Sequence, residues 1–380
     1  MIYLDNSATT KPKEEVVQSF QQAALQYFGN SSSIHGLGMD AERLLRMSRE
    51  QAASILQVDS REIIFTSGGT EGNNVAIKGV ALEHQNRGKH IITTQIEHPS
   101  VLETCRSLEK HGFEISYLPV DQDGRVCVED LRASLREDTI LVSIMHVNNE
   151  IGTIQPIERF GEVLKKYPKA LFHVDHVQGF GKVPLNIKQS GIDLLTISGH
   201  KIHGLKGTGL LYVKGGTKLF SLHHGGGQEA NLRSGTENLP GIVALVKAMR
   251  LVNNDREQHL NHLERLKMFL YKKISNLESC VLNTPEENSA PHIIHFSALG
   301  LKPEVVIHAL EEAEIYISTK SACSSKSADE SAVLVACGKA NNISTSGLRV
   351  SLSYETTQQE LDFFVEKLQE VLEKLSKVMR

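Results

Sequence analysis

Ile192-Asp193-Leu194-Leu195-Thr196-Ile197-Ser198-Gly199-His200-Lys201 is a short apolar run that ends abruptly in small and basic residues. A run of this length predicts a buried strand, and its carboxyl end places Lys201 at the rim of a sheet. A lysine on a rigid strand end, in a crowded polar setting that lowers its pKa, can act as a nucleophile toward a carbonyl. Ser198 and His200 can hold an anionic phosphate or an aldehyde ring beside it, and Gly199 lets the backbone come close. A lysine at a strand end is also commonly a solvated surface charge. The rest of the chain decides between the two.

Working outward, apolar runs at 62–66, 90–94, 114–119, 139–146, 170–174, 192–197 and 209–213 alternate with helix-like segments. That rhythm predicts βα units and an α/β fold with a seven-stranded, mainly parallel sheet, whose ligand site lies beyond the carboxyl ends of the strands. After Pro240 the apolar residues recur at helical spacing from 242 to about 276, predicting one long helix in which a second domain begins. The remainder mixes strands (292–296, 315–319, 347–353) with helices (303–313, 357–379), as in a small α+β domain. The expected division is a large domain over 15–255 and a small one made of 1–14 and 256–380. Residues 324–331, rich in Ser, Asp and Lys, are the expected mobile segment.

Composition narrows the function. The chain has 380 residues, 40% hydrophobic and 23% charged, with a formal net charge of -4, which suits a soluble globular protein of more than one domain. The absence of a block of basic residues argues against direct nucleic-acid binding. No run of about 18 apolar residues predicts a membrane span. The first residues lack a basic stretch followed by an apolar one, so a cytoplasmic location without a secretory signal is expected. Cys105, Cys127, Cys280, Cys323 and Cys337 are odd in number and form no CxxC pair, which argues against a disulfide framework or a zinc site.

Several polar clusters follow predicted strands. Thr66-Ser67-Gly68-Gly69-Thr70-Glu71 opens a helix whose unpaired N–H groups suit a phosphate, although a glycine turn into a capped helix looks the same. It lacks the lysine of a P-loop and fails GxGxxG. In His173-Val174-Asp175-His176-Val177-Gln178, Asp175 can keep a pyridine nitrogen protonated, as an electron sink requires, or simply cap a helix. Gln178 can donate to a ring oxygen. His173 and His176 lack the convergent carboxylates expected of a metal site. His98 can stack on a planar ring or bind backbone, and Asn149 can bridge ring and substrate or belong to an Asn-rich turn. Arg349, in a β-like run, needs an anion: an amino-acid carboxylate or a structural partner. Cys323, between Ser321-Ala322 and Ser324-Ser325 with Lys320 and Lys326 near, has the electropositive setting that favours a thiolate, or is an incidental surface thiol.

The runs YLDNSATT (3–10), FTSGGTEGNN (65–74), EHPSV (97–101), HVNNEIG (146–152), HVDHVQ (173–178), SGHKIHG (198–204), GGGQEANLRSGTEN (225–238), SACSS (321–325) and LRVSLS (348–353) span nearly the whole chain. In order and spacing they resemble cysteine desulfurases of the NifS/IscS type, class V aminotransferases of the fold-type I pyridoxal phosphate group. The resemblance implies pyridoxal 5'-phosphate bound through Lys201, with Asp175 on the pyridine nitrogen, Gln178 on the ring oxygen and His98 stacked as a proton shuttle. It implies Gly69, Thr70, Ser198 and His200 at the phosphate, joined by Thr236 from the second subunit of a homodimer. Asn149 and Arg349 would hold the carboxylate of L-cysteine, and Cys323 would take its sulfur and pass it to an acceptor protein.

Departures from the family pattern are Gly69 for a frequent Ala, Leu205 for a frequent Pro, Lys320 for a small residue and His176 for a small residue. The first is expected to be harmless. The chain ends at Arg380 without the extended tail by which housekeeping members contact an iron–sulfur scaffold, so a tRNA-thiolation enzyme stands beside the scaffold as an expected acceptor.

Overall fold

The structure is a computed structural model that describes residues 1–319 and 330–378. The chain opens with a short strand, β1 (Ile2–Tyr3), and two helices, α1 (Glu14–Gln26) and α2 (Gly36–Leu56). Seven strands then build one sheet: β2 (Ile63–Thr66), β3 (His90–Thr94), β4 (Glu114–Leu118), β5 (Thr139–Met145), β6 (Leu171–Asp175), β7 (Leu194–Ser198) and β8 (Gly209–Val213). Their order is β2-β8-β7-β6-β5-β3-β4. Only β8 runs against its neighbours, so the mainly parallel sheet expected from the apolar runs is present.

These strands read as near-continuous apolar runs because both faces are covered. Adjacent residues split between the faces, as a period of two requires. Val142, Leu195 and Leu210 pack with Phe160, Phe172 and Met249 on one side. Leu141, Leu194 and Leu211 pack with Ile77, Ile91 and Val101 on the other. The covering helices include α3 (Gly69–His84), α4 (Pro99–Glu109), α5 (Val128–Ser134), α6 (Ile157–Leu164) and α7 (Leu239–Asn254).

The single helix expected from 242 to 276 is two helices. α7 stops at Asn254, and α8 (Arg256–Ser275) starts after Asp255, whose φ of -110° and ψ of 27° are not helical. Asn253-Asn254-Asp255 is the cause: their short polar side chains compete for the backbone and disfavour helix interiors. Beyond lie β9 (Cys280–Leu282), β10 (Ile293–Ala298), α9 (Pro303–Glu311), β11 (Ile315–Tyr316), α10 (Ala332–Ala336), α11 (Asn341–Ser344), β12 (Gly347–Ser351) and α12 (Gln358–Val378). β12, β10 and β9 form an antiparallel sheet with its own core of Phe296, Leu348, Phe364 and Leu368.

The N-terminal residues join these two regions. β1 pairs with β11, Leu4 enters the second core, and Asp5 bridges to Ser351. Five residues on, Thr10 N donates to His200 O at 2.8 Å. Residues 5–10 therefore cross the carboxyl end of β7. No helix among the described residues is long and apolar enough to cross a membrane.

Candidate active site

A cavity of about 160 Å³ opens where β5, β6 and β7 end. Gly69, Thr70, His98, Asn149, Asp175, Gln178, Ser198, His200, Lys201 and Arg349 all line it. Thr236 is exposed and does not line it. Cys323 lies outside the described residues, as do residues 324–329 of the segment expected to be mobile.

Asp175 ends β6 and is buried with both carboxylate oxygens in use. Oδ2 accepts from Asn73 Nδ2 at 2.8 Å and Oδ1 from Val177 N at 3.0 Å. The second contact is the backbone cap expected of an Asp at this place; the first aims the carboxylate. Asn73 Nδ2 also donates to Ser100 Oγ at 2.9 Å, and Ser100 Oγ lies 2.8 Å from His98 Nδ1. One chain of contacts thus links the carboxylate to the imidazole. His98 caps α4, accepting from Ser100 N at 3.1 Å. Burial holds it below the ordinary histidine range; Asp175 draws it upward and Lys201 adds to the lowering.

The opposite end of the cavity suits an anion. α3 begins at Gly69 with no side-chain cap on its first turn, leaving backbone N–H groups and the positive end of the helix dipole open. Ser198 Oγ is buried and has no hydrogen-bond partner among the described residues. A buried hydroxyl left unpaired is costly, so the orphan fits a site built for a phosphate. Alanine at position 69 would bring its Cβ to 2.9 Å from Val177 Cγ2. In this chain Val177 would have to move to admit that methyl group. His200 lies 3.2 Å from Thr9 Oγ1, and burial, followed by Lys201, pushes its pKa down to about 4.

Lys201 sits in the single helical turn that follows β7. Its Nζ donates to Ser7 O and, at 2.8 Å, to Ala8 O, both on the crossing segment. Arg349, buried on β12, gives Nη2 to Asp5 Oδ1 at 2.9 Å and Nη1 to the Asn149 carbonyl at 2.8 Å, while Nε has no partner among the described residues. Burial raises the Asp5 pKa above the usual carboxylate value, and Arg349 opposes it. Gln178 donates to Ser7 O at 3.0 Å, and its Oε1 lies 3.3 Å from His292 Nε2. Asn148, not Asn149, builds the Asn turn: its Oδ1 accepts from Glu150 N at 2.9 Å and Ile151 N at 3.0 Å.

Ser7, Ala8, Asn73 and Ser100 also line the cavity and were not singled out in the sequence. Asn73 and Ser100 lie within quoted motifs, but their contacts depend on how α3 and α4 pack. The local sequence carries no signal for that. His173 is structural, between Ser143 Oγ at 2.8 Å and Thr196 Oγ1 at 3.0 Å. His176 packs on His146 with their Nδ1 atoms 2.9 Å apart. No group of His, Cys, Asp and Glu among the described residues could hold a metal ion. Glu97 ties the end of β3 to β5, its Oε1 accepting from Thr94 Oγ1 at 2.8 Å and Met145 N at 2.9 Å, and burial pushes its pKa up to about 8.

Comparison with known proteins identifies the family. The family model described as aminotransferase class-V matches residues 2–364. A NifS/IcsS protein homolog of Lactobacillus delbrueckii subsp. bulgaricus is 46% identical over 380 residues, covering 100% of this chain and 99% of that protein. Cysteine desulfurase IscS of Dictyoglomus turgidum is 44% identical, covering 98% and 95%. A solved NifS-like protein superposes with a TM-score of 0.93 at 38% identity, covering 98% of this chain and 99% of that one. The family model over residues 2–364 and relatives above 40% identical over the whole length lead to one assignment: the chain belongs to the aminotransferase class-V family, among the cysteine desulfurases of the NifS/IscS type.

Proposed function

We infer that this chain is a pyridoxal phosphate-dependent cysteine desulfurase that converts L-cysteine to L-alanine and carries the sulfur as a persulfide on Cys323. The observation that carries the reading is the convergence of Lys201, Asp175 and Arg349 on one cavity from three separate elements. The residues fit the cofactor: the orphaned Ser198 hydroxyl and the uncapped start of α3 suit its phosphate, and the fixed Asp175 carboxylate suits its ring nitrogen. When bound, pyridoxal 5'-phosphate supplies an aldehyde for amines and a protonated pyridine that takes up electron density from the substrate α-carbon.

The chain supplies the rest. Lys201 Nζ would hold the aldehyde of the cofactor and serve as the base for the substrate α-proton. Asp175, held by Asn73 and Val177 N, keeps the ring nitrogen cationic. Arg349, with Asn149 beside it, binds the substrate carboxylate in a geometry pre-set by Asp5 and the Asn149 carbonyl. The Cys323 thiolate would attack the substrate sulfur: an S–S bond forms as the Cβ–S bond breaks, the electron pair of that bond stays with the carbon skeleton, and one proton added at Cβ with one returned at Cα gives alanine. His98, which lines the same cavity, would stack on the ring and move a proton.

The proposal extends to the assembly. Leu25 (69% exposed), Phe28 (71%), Ile34 (96%) and Met39 (62%) form an apolar surface on α1, α2 and their connection. Such a surface supports a homodimer, and Thr236, exposed away from its own cavity, would then serve the partner's phosphate. We assign 15–255 to the cofactor-binding domain and 1–14 with 256–380 to the second, place the enzyme in the cytoplasm, and take the acceptor to be an iron–sulfur scaffold or a tRNA-thiolation enzyme. Loaded with labelled cysteine, the protein should form alanine and a labelled persulfide. Cys323→Ala should retain the visible band of the lysine-bound cofactor, which borohydride abolishes, and lose most alanine formation. Undiminished alanine formation would refute the sulfur role of Cys323 and leave a lyase or aminotransferase.

A further inference from the structure

Glu71 puts a negative charge beside the turn that suits a phosphate. It lies in the first turn of α3, next to Thr70, and its side chain is 12% exposed. Its Oε2 accepts from Ser67 N at 2.8 Å, so the carboxylate is held against the backbone of Ser67-Gly68-Gly69-Thr70. Gly69 and Thr70 line the cavity. The turn has little room to relax. Gly68 has a φ of 153°, its carbonyl accepts from Thr66 Oγ1 at 3.2 Å, and a Cβ on Gly209 would lie 2.6 Å from Gly68 Cα. One cation answers the charge: Arg233 Nε donates to Glu71 Oε1 at 2.8 Å, and no other cation pairs with Glu71 among the described residues. Burial raises the Glu71 pKa, but Arg233 and Ser67 outweigh it and leave it below the usual glutamate value, so the carboxylate is ionised at neutral pH.

Arg233 is brought there by a strained loop. Glu229, Ala230 and Asn231 have φ of 46°, 55° and 62°, three successive non-glycine residues in the left-handed region. Such a run persists only where its surroundings over-determine it. The buried Glu229 carboxylate provides the hold, accepting from Arg49 Nη1 at 2.8 Å, Arg49 Nη2 at 2.6 Å and Phe65 N at 2.8 Å. Covering the free edge of β2 explains Glu229. It does not explain why the loop goes on to place Arg233 on Glu71. A phosphate dianion and a bare carboxylate on one helical turn repel each other. We propose that Arg233 is a positioning residue for the cofactor phosphate: by pairing with Glu71 it cancels a charge that would repel the phosphate, and it keeps that carboxylate on Ser67 N, off the first N–H groups of α3. Arg233 does not line the cavity, so it acts through Glu71. The inference rests on the cofactor reading, with the phosphate at the start of α3.

The test compares two aldehydes that differ only in the phosphate, pyridoxal 5'-phosphate and pyridoxal. Their dissociation constants with cofactor-free protein are read from the visible band of the lysine-bound aldehyde, with thermal unfolding as a check on folding. Arg233→Met should weaken pyridoxal 5'-phosphate about tenfold and leave pyridoxal within about twofold. Adding Glu71→Gln to that variant should restore most of the loss, since the repelling charge is gone and the amide oxygen still accepts from Ser67 N. Arg233→Gln, which keeps a donor but no charge, should match Arg233→Met and decides if the Met variant does not fold. Equal loss for both aldehydes, no loss for either, or a double variant that stays weak would each overturn the proposal. A parent protein that forms no band with pyridoxal 5'-phosphate would remove the cofactor reading and this inference with it; a normal parent band with any of those three outcomes removes this inference alone.

Discussion

Asp175 shows how one residue is made to serve one role. Its carboxylate is fixed by Asn73 Nδ2 and Val177 N before any ligand arrives, so under the proposed function it would meet a ring nitrogen without reorganisation. Asp175→Asn keeps the shape and removes the charge. It should bind the cofactor at near full occupancy and lose about a hundredfold or more in kcat, measured by single-turnover alanine formation against cofactor content. A comparable loss of bound cofactor would assign Asp175 to binding instead. The sequence singled out Asp175 because a carboxylate at a strand end can keep a pyridine nitrogen protonated or cap the next helix. It was silent on Asn73, whose amide joins Asp175 to Ser100 and so to His98 only because α3 and α4 lie side by side.

Among the elements, α1, α2 and the connection between them expose Leu25, Phe28, Ile34 and Met39. Phe28 and Ile34 stand almost bare, so their replacement costs a protomer little but would place charge in an apolar contact. The double variant Phe28→Glu/Ile34→Glu should sediment as a monomer, keep a thermal midpoint within a few degrees of the parent, and hold cofactor more weakly. A variant that remains dimeric would remove the connection between α1 and α2 from the contact. Strands were legible because a run buried on both faces is continuously apolar, as in β5, while β9 has three residues and no pattern to read. The division between α7 and α8 was written in Asn253-Asn254-Asp255, but the apolar spacing on either side hid it.

Across the whole molecule, stability should depend on pH with two limbs. Burial pushes the pKa values of His146, His173 and His295 down to about 3. Below about pH 6.5 the unfolded chain binds protons that the native one refuses. Their stabilisation is thus fully present above about 6.5 and is lost as pH falls, at roughly 1.4 kcal/mol per pH unit for each. Glu97 acts in the opposite sense. With its native pKa raised to about 8, the native state holds a proton that the unfolded chain releases above about 4.5, so stability declines through that window until about pH 8. The net maximum should fall near pH 6.5, read from urea midpoints between pH 4 and 9. Glu97→Gln should flatten the alkaline limb and leave the acid one.

What the sequence by itself determined is what local pattern controls: the strand rhythm, the glycine-led start of α3, and the residue types at each strand end. A strand end fixes where its side chain emerges, so Lys201, Asp175 and His98 stood out as candidates before any contact was known. Only the tertiary structure decided what depends on distant segments meeting. It laid residues 5–10 across β7, so that Ser7 and Ala8 receive Lys201 and Asp5 receives Arg349. It also buried Lys182 against the peptide of Lys201. These pairs are separated by 19 to 344 positions, a distance over which hydrophobic periodicity carries no information and packing alone sets the contact.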